Sequence, residues 1–292
     1  MSDQVKGLLI TFFGVLFVVP DSLFVRLIDA DALTVAFWRL LLSGGLTATW
    51  VLVTGGTAPF RAVLRTGRYG LIYMIGVGAS GVLFVLAVSL TSVANVVFII
   101  ASLPIFAAIF SRVFLFEPFS RRTLLTIAAV VPGLAIIAYG SGETDHASLA
   151  GDLLALGVSA LFAAALTAAR HARATSMVPG VAMGCLLAAL CILPFTQPFS
   201  VPPEQAPLVL AHGGFILFSS VLLAIGPRFI TSAEVGLLVL LESVFAPLLA
   251  WAVIGENPGS YAVVGGSIVI GALFISNLVL LMRQHRIKRR AL

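Results

Sequence analysis

The sequence predicts an all-α integral membrane protein, with ten transmembrane helices arranged as two inverted five-helix repeats around a central cavity. Three observations carry that expectation. Hydrophobic residues make up 60% of the 292-residue chain and charged ones only 10%, against roughly 25% charged in a soluble domain, so the chain cannot cover a water-exposed surface. The apolar residues fall into ten runs, each near the ~20 residues a helix needs to cross hydrocarbon. A stretch in the first half of the chain also recurs in the second.

In order, the expected spans are Lys6–Ile28, Ala32–Val53, Tyr69–Leu90, Ser92–Phe116, Thr123–Tyr139, Asp152–Ala172, Val178–Thr196, Leu208–Ile230, Ser232–Ile254 and Ser260–Met282. Backbone facing lipid must satisfy its hydrogen bonds within its own segment, so these are helices; the two-residue alternation of a membrane barrel is absent. The connections are short. The longest polar ones, 54–68, 140–151 and 197–207, cannot hold a further domain.

Basic residues set the orientation. With the N-terminus inside, the inner side receives Lys6, Arg61, Arg65, Arg68, Arg112, Arg121, Arg122, Arg170, Arg173, Arg228 and the basic residues of 283–290, while the outer side receives only Arg26. Asp29, Asp31, Glu143, Asp145 and Glu204 favour the outer loops. Both termini are expected in the cytoplasm, and the basic tail 283–292 is expected to face anionic lipid rather than nucleic acid. No cleavable signal pattern precedes the first run.

When Glu117 is placed over Glu256, "LPIFAAIFSRVFLFEPFS" (103–120) falls over "ESVFAPLLAWAVIGENPG" (242–259). Pro104 lands on Ser243, and Phe106-Ala107 on Phe245-Ala246. The halves are then 1–140 and 150–282, with a seam near 140–151. Five crossings is an odd number, so the second copy inserts upside down. Inverted repeats of this kind are an architecture of secondary transporters, with the substrate site near the midplane and alternating access as the mechanism.

Several residues sit where hydrocarbon makes them costly. A charged acid at a helix centre costs about 2.5–3.5 kcal/mol on insertion scales. Glu242 must therefore face the interior, where it either binds a substrate amine or a proton, or is hydrogen-bonded to a neighbouring helix. Asp21 follows Pro20, which breaks the first helix; it is either a substrate contact or the outer end of that helix. Arg39 either neutralises a substrate carboxylate or pairs with Asp21 or Glu242. Its neighbour Trp38 is a packing residue or a substrate platform. Phe84, Asn95 and Ser102 are further cavity candidates. Pro20, Gly76, Gly78, Gly81, Pro104, Gly213, Gly214 and Pro227 are the hinge or packing candidates. Glu234 reads as a helix-start charge. Glu117 and Glu256 read as helix-end residues near the interface with no need of burial, and Glu117 with Arg121 is a candidate gate pair.

The segments "AFWRLLL" (36–42), "LPIFAAIFSRVFLFEP" (103–118), "GDLLALGVSALFAAALTAAR" (151–170) and "LLESVFAPLLAWAVIGEN" (240–257) resemble the drug/metabolite transporter superfamily, specifically its EamA-type ten-helix permeases. The chain departs from that pattern at "FFGV" (12–15), where Trp-Gly is common, and at Ser243, where proline is common. The resemblance implies a multi-pass protein of the plasma membrane, the inner membrane in a bacterium. It implies export of amino acids, aromatic or other neutral ones, as by the YddG-like group. Export of drugs or other metabolites is the alternative within the superfamily, and a membrane enzyme or lipid-processing protein is the more distant one.

Enzymatic signatures are missing. The sequence has no G-x-x-x-x-G-K-[ST] loop, no G-x-S-x-G elbow and no His/Cys set with metal-ligand spacing. Cys185 and Cys191 share one apolar run and read as packing residues. The expected partners are a small-molecule substrate and the bilayer. No cofactor, metal or nucleic acid is called for.

Overall fold

The computed structural model describes residues 3–114, 116, 121–140, 147–226, 229–230 and 232–290, side chains 224, 232, 233 and 283–290 excepted. Glu117, Pro227 and residues 141–146 of the 140–151 seam lie outside the described residues. Thirteen α-helices follow one another with no strand among the described residues: α1 (Asp3–Val18), α2 (Asp21–Leu27), α3 (Ala32–Gly55), α4 (Ala58–Arg65), α5 (Arg68–Leu90), α6 (Val93–Ile100), α7 (Leu103–Phe114), α8 (Arg121–Tyr139), α9 (Leu149–His171), α10 (Val178–Ile192), α11 (Ala206–Ile225), α12 (Ser232–Ile254) and α13 (Ser260–Arg290). Ten helical segments are long and apolar enough to cross a membrane, with α1–α2 and α6–α7 each forming one of them.

Two of the breaks have local covalent causes. Pro20 has no N–H to continue the helix, so α1 ends at Val18 and the chain resumes as α2 at Asp21. In the fourth span, Ser102 N–H donates to the Ile99 carbonyl at 2.9 Å and Ile105 N–H to the Ser102 carbonyl at 2.8 Å. Pro104 then stands in the first turn of α7, where its missing N–H goes unused. The second copy has Ser243 at the matching position, and α12 runs unbroken from Ser232 to Ile254. α12 carries Pro247 in its interior without breaking.

Two other connections differ from expectation. Residues 58–65, expected as plain linker, form α4, which buries Val63. The last helix continues to Arg290, 31 residues in all, or about 46 Å at 1.5 Å per residue, longer than the ~30 Å hydrocarbon layer. The basic tail is therefore helical in its main chain.

Helix pairing carries the repeat into three dimensions. The first span packs on the eighth and the sixth on the third. The second packs on the seventh, the fifth on the tenth and the fourth on the ninth. Exchanging the halves swaps the first two pairings and maps the other three onto themselves, as a twofold relation requires. Small residues allow the closest crossings. A Cβ on Gly133 would lie 2.8 Å from the Gly265 carbonyl oxygen, and one on Gly78 only 2.4 Å from that of Gly184.

The centre is filled unevenly. In α6 every residue from Val93 to Ile99 is buried, as expected of a helix that is apolar all round. It packs on α9, α12 and α13 and occupies the half of the bundle away from the arginine-rich end.

Candidate functional site

Charged side chains from both halves meet inside the bundle. Asp21 opens α2 and is 2% exposed. The Arg39 guanidinium on α3 donates to it twice, Nε to Oδ1 at 2.9 Å and Nη2 to Oδ2 at 2.5 Å. Oδ1 also meets His212 Nε2, from α11, at 2.7 Å. Of the two acids the sequence offers Arg39, Asp21 holds it in the fork geometry that suits guanidinium and carboxylate. The rotamers are locked from outside the cluster. Phe24 stacks on the His212 ring at 5.1 Å between centroids, and Arg39 lies 5.1 Å over the Phe84 ring.

Arg39 is seven residues into α3, so the cluster lies roughly 10 Å below that end of the bundle. Glu242 approaches from α12, nearer mid-helix, and interacts electrostatically with both Asp21 and Arg39. It is half-buried, and among the described residues it has no direct hydrogen-bond or ion-pair partner. The cluster therefore holds two carboxylates, one guanidinium and one imidazole. Asp21 is doubly engaged, and Glu242 stands beside it without a direct hydrogen-bond or ion-pair partner among the described residues.

The end of the bundle nearest this cluster, where the chain carries its acidic loops, is tied shut. Arg26 Nε lies 3.0 Å from Glu256 Oε2, and Arg26 Nη2 donates to the Thr91 carbonyl at 2.9 Å. Val93 N–H donates to Glu256 Oε1 at 2.6 Å. Thr91 Oγ1 donates to Asp152 Oδ1 at 2.8 Å, and the Asn95 amide donates to the same carboxylate at 3.0 and 3.2 Å. A continuous polar chain thus joins α2, the α5–α6 turn, α9 and the end of α12.

Trp38 serves this end as well, since its indole N–H donates to the Pro198 carbonyl at 3.0 Å. Glu256, expected at the interface, is only 7% exposed. Its carboxylate is buried because the chain turns inward after α12 to meet Arg26 and the α6 N-terminus.

The opposite end is the arginine-rich one. A cleft of about 440 Å³ lies between α7, α8, the end of α9 and α13. Pro104, Ser111, Arg122, Arg170 and Ser276 are on its walls. At this end Gln4 donates to Glu234 at 2.6 Å, a bond between the starts of the first and ninth spans.

The sequence-derived candidates therefore separate. Asp21, Arg39, Phe84 and Glu242 come together. Asn95 is bound into the Asp152 network, and Trp38 into a loop. Ser102 is fully buried, with no partner for its hydroxyl among the described residues. Gly76 and Gly78 face close-packed helices, and a Cβ on Gly81 would meet Leu40 at 2.8 Å. Gly213 faces Leu42, whereas Gly214 has nothing within 4 Å of an added Cβ.

Three participants were not singled out from sequence: His212, Asp152 and Arg26 as partner of Glu256. A histidine inside the apolar run "LVLAHGGFILF" (208–218) was the one visible signal.

Residues 5–139 and 149–278 each match the EamA-like transporter family. No curated protein matches the chain. Sixteen solved chains do. One of them, a crystal structure, is 16% identical with a TM-score of 0.63, over 94% of this chain and 99% of its own; it supports the fold alone.

Proposed function

Since the chain belongs to the EamA-like transporter family, matched once in each half, we propose that it is a secondary transporter that exports small polar metabolites, amino acids foremost, by alternating access. The observation that carries this is the Asp21–Arg39–His212 cluster with Glu242 beside it. Four ionisable side chains from α2, α3, α11 and α12 converge where hydrocarbon makes them expensive. Residues of both repeats form it, so movement of one repeat against the other alters it.

An amino acid presents an ammonium and a carboxylate. Glu242 suits the first, and the guanidinium of Arg39 lies close by for the second. The arginine-rich end is the cytoplasmic one by the bias of basic residues, with both chain termini there and the protein in the plasma membrane. The bundle is then closed outward, as an exporter is when it loads its cargo. Other metabolites or drugs of similar polarity are the alternative cargo.

The test is counterflow into liposomes holding only this protein, preloaded in turn with each member of an amino-acid and metabolite panel. Saturable exchange without ATP is expected for at least one neutral amino acid. Exchange that requires ATP, or none across the panel, overturns the proposal.

A further inference from the structure

The connection between the second and third spans is more than a tether. α4 lies between two turns that need glycine, Gly56 at φ +64° and Gly67 at φ +62°. At about 100° per residue, Arg61 and Arg65 share one face of α4 and Val63 stands opposite them. Val63 is fully buried in a core cluster with Tyr73, Ala165, Ala168 and Met177. That contact holds α4 against α5, the end of α9 and the residue before α10. Arg61, Leu64 and Arg65 are left exposed.

Further positive charge gathers at the same corner. Arg68 Nη2 donates to the Tyr69 hydroxyl at 2.9 Å, and the guanidinium lies 4.9 Å over the Tyr69 ring. That ring stacks on His171, 3.8 Å between centroids. Arg173, in the turn after α9, is exposed as well. Arg61, Arg65 and Arg173 have no side-chain hydrogen-bond or ion-pair partner among the described residues. Neither 54–74 nor 165–191 contains an aspartate or glutamate.

The bias of basic residues toward one side of a membrane explains why arginines occur at this end. It does not explain a helix that presents two of them on one face while its opposite face docks on the bundle. Like charges one turn apart destabilise the helix that carries them, so α4 gains from a counter-anion. The neighbouring surface is apolar: Leu64 is exposed, as are Val53 near the end of α3 and Leu71 near the start of α5. A cationic face beside an apolar one is the pattern of helices that lie at a lipid interface. It fits an anion that arrives with hydrocarbon attached.

We propose that α4, with Arg68 and Arg173, is a binding surface for anionic phospholipid in the leaflet at the arginine-rich end. The lipid phosphate accepts from the guanidiniums of Arg61 and Arg65, whose planar forks suit phosphate oxygens, and its acyl chains lie along Leu64. Cargo takes no part in this, so the inference stands apart from the transport proposal.

The experiment measures lipid binding. Full-length protein in a neutral detergent is titrated separately with phosphatidylglycerol, phosphatidylcholine and inorganic phosphate at constant ionic strength. The thermal unfolding midpoint gives the affinity, and native mass spectrometry counts retained lipid. Phosphatidylglycerol is expected to raise the midpoint and to remain bound, whereas phosphatidylcholine and phosphate do neither. Arg61→Gln/Arg65→Gln, both exposed, is expected to weaken phosphatidylglycerol about twentyfold, at about a factor of five for each arginine near anionic lipid. Lys6→Gln/Arg121→Gln removes the same charge elsewhere at that end and should leave the affinity unchanged. Equal weakening by the two pairs would mean diffuse attraction to a basic face, and overturns the proposal. So does wild-type affinity in Arg61→Gln/Arg65→Gln, equal retention of the two lipids, or a midpoint raised as far by phosphate alone. Counterflow is not among the readouts, so a failure here leaves the transport proposal standing and the reverse holds too.

Discussion

Glu256 forms an ion pair with Arg26 at 3.0 Å and accepts from the backbone N–H of Val93 at 2.6 Å. One carboxylate at the end of the ninth span therefore holds the end of the first span and the start of α6 together. Its side chain is 4% exposed and that of Arg26 17%, so neither charge is readily compensated by water.

Removing one partner of a buried pair leaves the other charge uncompensated, at about 3–5 kcal/mol. Glu256→Gln is expected to lose about 3 kcal/mol of stability, given the partial exposure of Arg26, and to speed hydrogen exchange at amides 91–96. Arg26→Gln/Glu256→Gln should recover part of the loss, because no lone charge remains. Denaturant unfolding and exchange mass spectrometry provide the two readouts. An unchanged exchange rate in Glu256→Gln would remove this pair as the closure of that end.

Asp21 supports a heavier load, since Arg39 and His212 both bond to it. Asp21→Asn is expected to destabilise the protein by about 3–5 kcal/mol and abolish counterflow. Asp21→Asn/Arg39→Gln should regain stability without regaining transport. Thermal unfolding alongside counterflow separates the two effects, and recovery of flux in the double variant would exclude the cluster from the transport path.

Glu242 gives the opposite expectation. With no direct hydrogen-bond or ion-pair partner among the described residues, Glu242→Gln should leave stability unchanged or raise it, since it removes a charge that hydrocarbon makes costly. If the side chain receives a substrate ammonium, flux should fall about tenfold or more. Unaltered flux would take Glu242 out of the substrate site.

Two glycines test the packing. A Cβ on Gly78 would lie 2.4 Å from the Gly184 carbonyl oxygen, whereas one on Gly214 meets nothing within 4 Å. Gly78→Ala should separate α5 from α10 and cost about 1–3 kcal/mol. Gly214→Ala, in a helix with open space, should be neutral or stabilising by up to about 1 kcal/mol. Equal unfolding midpoints for the two variants would contradict the crossing.

The ten spans were legible because hydrocarbon imposes a constraint along the chain itself: about 20 apolar residues, with charge excluded between them. The break at Pro20 was visible for a similar reason, since a missing N–H acts within one helical turn, whereas Pro104 was only a hinge or packing candidate. The duplicated stretch around Glu117 and Glu256 gave the repeat, and an odd number of crossings gave its inversion. Nothing in the chain's linear order announces that Asn95 meets Asp152, 57 positions away, or that His212 meets Asp21, 191 positions away. Those pairings depend on which helix ends converge once the two halves dock. Hydropathy records the cost of a polar side chain in the bilayer but not its partner. The number of crossings therefore follows from local composition, while the assignment of Asp21, Asn95 and Glu256 to cluster, network or closure depends on the packing of helices distant in the chain.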